Sequence, residues 1–328
     1  MKTIAFFNNK GGVGKTSLMY HLAYMFALRG KTVVAADLDP QANLSGMFLQ
    51  DSRIDALWSA GGGATVYSAM QPLIGGTGDL TPPTPQVAGE RLSLLPGDLS
   101  LSGIEDELST QWPRCLDGEA RAFRVTAAFD RMLRGAGRAQ NADLGLIDVG
   151  PNLGAINRCA LISADVVVIP LSPDLFSIRG LQNVGPKLRS WRRAWHDRRT
   201  RAPDNLGFDL PPGDMKPLGY VISRYASYAS DAAKAFQRWL DRAPRVYAEY
   251  VLESMDPAVG LDTDHHRLAQ LKDYRSLMAF AQEARKPMFL LKPADGAIGG
   301  HQAAVQACYS DFDALAALIE QRLGVSPP

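Results

Sequence analysis

Lys10-Gly11-Gly12-Val13-Gly14-Lys15-Thr16-Ser17 separates a short apolar run, Thr3 to Phe7, from an amphipathic stretch, Thr16 to Arg29. The run has the length and β-branched content of a buried strand. In the stretch, Leu18, Leu22, Met25 and Phe26 recur on one helical face. A glycine-rich turn between a strand and a helix lets backbone N–H groups converge on an anion, and the helix N-terminus adds its positive dipole end. The G-K-[ST] core of a phosphate loop is intact. Asn9 stands where the common G-x-x-x-x-G-K-[ST] pattern has its first glycine, and Lys10 lies inside the loop. Phosphate contacts are expected from Gly11, Gly12, Val13, Gly14, Lys15, Thr16 and Ser17. Lys15 is expected to reach the β- and γ-phosphates, and Thr16 to ligate Mg²⁺.

Carboxylates lie at two later strand ends. Asp37-Leu38-Asp39-Pro40-Gln41-Ala42-Asn43 closes the run Thr32 to Ala36. Alternation along a strand points Asp37 and Asp39 to one face, at the carboxyl edge where α/β sheets place ligands. Leu144-Gly145-Leu146-Ile147-Asp148 is an apolar strand ending in an acid, which predicts Asp148 as a second Mg²⁺ holder through water.

Further outward, Leu92 to Leu95, Val166 to Leu171, Leu218 to Ile222 and Met288 to Leu291 read as buried strands, with helical patterns between them and a last helix over Ser310 to Leu323. This alternation predicts an α/β fold: a mostly parallel sheet of about seven or eight strands flanked by helices. No linker divides the strands, so residues 1–328 are expected to form one domain with loop insertions near 51–90, 196–215 and 241–265.

Composition narrows the class. The chain has 328 residues, 46% hydrophobic against 21% charged, which excludes disorder and fits a sizeable core. Lys plus Arg is 35 against 34 for Asp plus Glu, so nucleic-acid binding requires a local basic patch. The 3 cysteines form no C-x-x-C, which argues against a disulfide framework or zinc site and for a reducing cytoplasm. No apolar stretch approaches the roughly 18 residues of a membrane span.

KGGVGKTS together with DLDPQAN resembles the deviant Walker A ATPases of the ParA/MinD family, whose mark is the additional lysine, here Lys10. LSLLPGDLSL (92–101), ADVVVIPLSPDLFSIRGL (164–181) and LGYVISRY (218–225) extend the resemblance over most of the chain. It departs at Val149-Gly150-Pro151-Asn152-Leu153-Gly154, where the family more often has two consecutive prolines and this chain has Gly150.

The resemblance implies an ATP- and Mg²⁺-dependent ATPase that closes as a sandwich homodimer, with Lys10 reaching the partner's nucleotide. It further implies that Asp39 orients the attacking water, that Asp37 supports the Mg²⁺ shell, and that the base lies near Ser223, Arg224 and Pro287. A ParA-like chain would bind nonspecific DNA as the ATP dimer, then hydrolyse ATP when a ParB-like or other adaptor stimulates it, so as to position DNA or another cargo. That places it in the cytoplasm, on the nucleoid. Alternative readings are a MinD-like membrane-cycling regulator and a metabolic P-loop enzyme that uses ATP to activate a small molecule. The acidic flanks of the last helix, Asp311, Asp313 and Glu320 against Arg322, argue against membrane binding.

Two basic clusters are candidates for DNA. Arg189, Arg192, Arg193, Arg198 and Arg199, followed by Arg201 and interleaved with Trp191 and Trp195, would neutralise several phosphates. The competing reading is a helix face with arginine stems lying over tryptophans. Lys272 and Arg275 form the second candidate.

Overall fold

The computed structural model describes residues 1–60, 63–225, 237–254 and 260–325. The apolar run at the N-terminus forms β1 (Lys2–Phe6), followed by α1 (Lys15–Leu28) and β2 (Val33–Asp37). Next come α2 (Asn43–Phe48), α3 (Asp51–Ala60), α4 (Val66–Ile74), β3 (Gln86–Gly89) and β4 (Leu92–Leu95). Helices α5 (Glu105–Arg114), α6 (Ala120–Thr126) and α7 (Ala128–Ala139) lead to β5 (Leu144–Asp148). α8 (Ala155–Leu161), β6 (Val166–Leu171), the long α9 (Leu175–Arg199) and β7 (Lys216–Tyr225) follow. The chain closes with β8 (Arg267–Lys272), α10 (Arg275–Ala284) and α11 (Gly300–Leu323).

The strands form an 8-stranded sheet in the order β3-β4-β2-β5-β1-β6-β7-β8. Every pairing is parallel except β3 with β4. β1, β2, β5 and β6 read as continuous apolar runs because both of their faces are covered. One apolar layer packs Leu18, Leu22 and Phe26 of α1 with Leu277 of α10 and Leu315 and Ile319 of α11. The opposite layer packs Met70, Leu108, Phe123, Met132, Ile156 and Leu188 from α4 to α9. Register sets the site: Phe6 and Asp37 both lie opposite Asp148, so the loop after β1 and two carboxylates meet at one edge.

Three segments differ from expectation. Met288 to Leu291 is no strand; Met288–Leu290 is a 3₁₀ turn. The eighth strand is β8, at the sheet edge, where Leu268 and Leu271 are buried and the residues around them only partly so or exposed, with an irregular register against β7. The stretch 51–90 carries α3, α4 and β3 rather than loop. Thr65 caps α4 in a reciprocal bond pair with Ser68, and Val66, Ala69, Met70 and Leu73 are buried. Residues 203–215, in contrast, stay outside helix and strand, with a turn at 204–205, and are pinned to α9 by Trp195 Nε1, which donates to Pro211 O at 2.9 Å. Gly213 there has φ +69°, and a Cβ would stand 2.1 Å from Trp195 Cδ1, so only glycine fits.

Candidate functional site

The loop between β1 and α1 is built for an anion. Gly12 (φ 74°) and Gly14 (φ 83°) take left-handed conformations, and Gly14, the N-cap of α1, offers no side chain to its first N–H groups. Asn8 anchors the loop: its Nδ2 donates to Pro170 O at 2.8 Å and its Oδ1 accepts from Lys10 N at 3.1 Å. α9 packs directly beneath, since a Cβ on Gly180 would lie 2.9 Å from Asn9 Oδ1. Lys15 is 7% exposed, and its Nζ donates to Lys10 O at 3.4 Å. Burial pushes its pKa down, and the charges of Asp148 and Asp39 oppose that shift.

The three carboxylates have different surroundings. Asp37 is fully buried and accepts from both Ser45 N and Ser45 Oγ, each at 2.7 Å. Burial pushes it up to about 6, with the Ser45 bonds pulling the other way. Ser45 Oγ in turn accepts from Gly97 N at 2.8 Å, so the P-G-D turn after β4 backs this carboxylate. Asp39 is 6% exposed and its Oδ1 accepts from Gln41 N at 3.0 Å. Gly150 lies against it, a Cβ there falling 3.2 Å from Asp39 Oδ1. Asp148 is fully buried, and among the described residues neither of its oxygens has a hydrogen-bond partner. Burial and the charge of Asp37 push its pKa well up, eased by Thr16 and Lys15. Two buried carboxyl oxygens without hydrogen-bond partners among the described residues, beside a hydroxyl and an ammonium, are the environment a hard divalent cation completes. Thr16 and Asp148 therefore fit Mg²⁺. Asp37 stands behind them, committed to Ser45.

Beside Gly14 and Ser17 opens a cavity of about 380 Å³, lined by Leu18, Ser223, Lys272, Tyr274, Met278, Met288 and Phe312. A half-apolar cleft next to an anion loop suits a flat base whose phosphates lie on that loop. Ser223 is among its lining residues. The side chain of Arg224 lies outside the described residues, and Pro287 is buried one step before Met288. Lys272, expected at DNA, stands instead at this cavity, at the carboxyl end of β8. Recognising β8 as a strand would have placed it there. His21 of α1 props the floor: its Nδ1 bonds Ser17 O at 2.7 Å and its Nε2 accepts from Met288 N at 3.1 Å.

A family model described as "AAA domain" matches residues 1–198. The chromosome partitioning protein ParA of Myxococcus xanthus is 30% identical over 235 residues, covering 70% of this chain and 68% of that protein. The chain belongs to the ParA/Soj-like family of P-loop ATPases. The sporulation initiation inhibitor protein Soj of Bacillus subtilis is 30% identical over 184 residues, covering 56% of this chain and 63% of Soj. Several curated relatives are matched over only about half of their own length. Among solved structures, protein DIP2308 of Corynebacterium diphtheriae superposes with a TM-score of 0.73 at 25% identity, covering 98% of this chain and 99% of that one. The ATP complex of a McdA variant from Cyanothece gives 0.63 at 14% identity, with 99% and 97% covered, a likeness of fold.

In this ParA/Soj-like chain the signature lysine is engaged within its own subunit, Lys10 Nζ pairing with Asp174, the N-cap of α9. The arginine-rich end of α9 is dispersed. Arg189 pairs with Glu253 at 2.7 Å and bonds the carbonyl of Tyr250. Arg192 donates to Asp214 O and Met215 O, and Arg199 to Pro212 O. Arg198 is 8% exposed, donates to Trp112 O and lies 4.5 Å from the Trp112 ring centroid. These four guanidinium groups therefore tie α9 to neighbouring segments, Arg199 from an exposed position; Arg193 and Arg201 are exposed as well. The side chain of Arg275 lies outside the described residues. Among the described residues no helix is long and apolar enough to cross a membrane. The apolar face of α11 is buried, and its Glu320 pairs with Arg29 of α1 at 3.0 Å.

Proposed function

We propose that this chain is an Mg²⁺-dependent ATPase that forms an ATP-bound homodimer, binds nonspecific DNA in that state and resets by hydrolysis. The observation that carries this reading is Asp148: a buried carboxylate with no donor, facing Thr16 and Lys15 at the mouth of an anion loop. Lys15 neutralises the γ-phosphate, Thr16 and Asp148 hold Mg²⁺, and Asp39 orients the attacking water. Bound Mg²⁺ supplies positive charge for the phosphate oxygens. Lys10 completes the partner's site, which requires it to leave Asp174. Arg193 and Arg201, the exposed arginines of this cluster that make none of the ties described above, are the first candidates for DNA phosphates. One P-loop domain does this work in the cytoplasm on the nucleoid, with a ParB-like or other adaptor stimulating turnover.

The decisive measurement is binding of wild-type and Lys10→Ala protein to random-sequence duplex, with ATP or ADP, across a salt series. Binding by wild type with ATP alone, falling steeply with salt, is the expected result. ATP turnover without any DNA binding would remove the DNA half of the reading and leave a nucleotide-driven enzyme. Lys15→Ala abolishes nucleotide binding; retained tight binding would remove the reading altogether.

A further inference from the structure

The loop 149–154 joins β5 to α8 directly behind the phosphate site, and two side chains outside it hold its shape. Asn157, fully buried in α8, turns its Nδ2 back to donate to Gly150 O and Asn152 O, both at 2.7 Å. Its Oδ1 is buried without a partner, so the residue spends an acceptor to keep those two donations. Glu105, the first residue of α5, reaches across 50 residues of sequence. It accepts from Ala155 N with Oε1 and from Ile156 N with Oε2, the latter at 2.9 Å. Gly154 makes room for it: a Cβ there would stand 2.4 Å from Glu105 Oε1. The far end of α5 holds α8 again, Arg158 lying 4.3 Å over the Trp112 ring. The near end of the loop, Gly150, is seated under Asp39.

We propose that Glu105 and Asn157 are positioning residues of the ATPase reaction: Asn157 ties the 149–154 loop by its carbonyls and Glu105 fixes the N-terminus of α8 into which the loop runs, so that Gly150 holds the Asp39 carboxylate in its water-orienting place. This rests on the reading of Asp39 given above. Neither residue touches nucleotide; both act through the loop. A displacement of about 1 Å in a group that aligns a nucleophile costs on the order of a hundredfold in rate, which is the scale at stake. Position 150 is where the family more often has a proline. Here the clamp supplies the rigidity that a proline ring would have given through its locked φ.

The test uses the full chain in three variants that reach the clamp independently. Glu105→Gln replaces one accepting oxygen with a donor, Asn157→Asp removes both donations, and Gly154→Ala expels the Glu105 carboxylate without altering it. Each is expected to lower kcat for ATP at least tenfold, with affinity for a non-hydrolysable ATP analogue unchanged within about twofold. Each should also accumulate the ATP-bound dimer, the result likewise expected of Asp39→Ala. Loss of kcat in proportion to loss of analogue affinity, unchanged kcat, or lost turnover without dimer accumulation would each overturn the proposal. Asp39→Ala alone serves as the separate control: wild-type turnover in that variant would refute the role of Asp39 itself, whatever the clamp variants do.

Discussion

Lys10 and Asp174 form an ion pair within the chain, in which the loop lysine and the N-cap residue of the long helix α9 neutralise each other. The aspartate is held independently of the lysine, because its Oδ1 accepts from Ser177 N at 2.9 Å as the cap of α9. The pair is 30% and 29% exposed, so water screens it and its breaking costs at most about 1 kcal/mol per subunit. Asp174→Asn keeps an accepting cap and removes the charge. In sedimentation with ATP this variant is expected to dimerise more tightly, by about thirtyfold at most for two pairs. Weaker dimerisation would show that Asp174 serves the partner instead.

Asp148→Asn trades function for stability. Removing the buried charge raises the thermal stability of the nucleotide-free protein, on the order of 1 kcal/mol, because an unpaired carboxylate no longer has to be desolvated. ATP binding in that variant should lose its dependence on Mg²⁺. Preserved Mg²⁺ dependence would move the cation to another ligand.

Gly97 is required by space. A Cβ there would stand 2.8 Å from Asp37 Cγ, so Gly97→Ala forces the carboxylate off Ser45 and costs about 1–3 kcal/mol in denaturant unfolding. The cost should largely vanish in an Asp37→Ala background. Equal costs in both backgrounds would place the strain elsewhere.

His21 makes the cavity beside the glycine loop sensitive to acid. Its Nε2 must accept from Met288 N–H, so the ring is neutral, and burial pushes its pKa down from 6.5 to about 4. A depressed histidine contributes stability that is complete above 6.5 and is lost as pH falls from 6.5 towards 4, at most about 3 kcal/mol. The measurement is the difference in unfolding free energy between wild type and His21→Gln over that window. A parallel pH dependence of the two proteins would refute the assignment.

The α9 arginines should separate into two kinds. Arg198→Ala is expected to destabilise the fold by about 2 kcal/mol or more, since it strips donors and a ring contact from a buried site. Arg193→Glu with Arg201→Glu leaves thermal stability unchanged and lowers the salt slope of DNA binding by about 2. An unaltered slope would place the DNA surface on other residues.

Some of this was legible before any coordinates. Lys10 to Ser17, Asp37, Asp39 and Asp148 could be singled out from sequence because each depends on local geometry: glycines that allow left-handed turns, and acids at the ends of apolar runs. β8 escaped because an edge strand needs little burial, and Arg267–Lys272, with its two leucines three residues apart across an irregular register, has no period-2 pattern to read as a strand. Met288 to Leu291 misled for the opposite reason: its apolar side chains line a cleft and an inter-helix core, which hydrophobicity alone does not distinguish from a sheet.

The sequence by itself determined the α/β class, the anion loop and the set of acids that converge on it, since strand period, turn chemistry and chain order act over a few residues. Only the tertiary structure decided the partner of each group: Ser45 for Asp37, no donor for Asp148, Asp174 for Lys10, carbonyls for Arg189, Arg192, Arg198 and Arg199, and Glu105 for the start of α8. The physical reason is that hydrogen bonds and ion pairs form between atoms a few ångströms apart. In this chain sheet register and helix packing bring together residues such as Glu105 and Ala155, which sequence separation leaves unrelated.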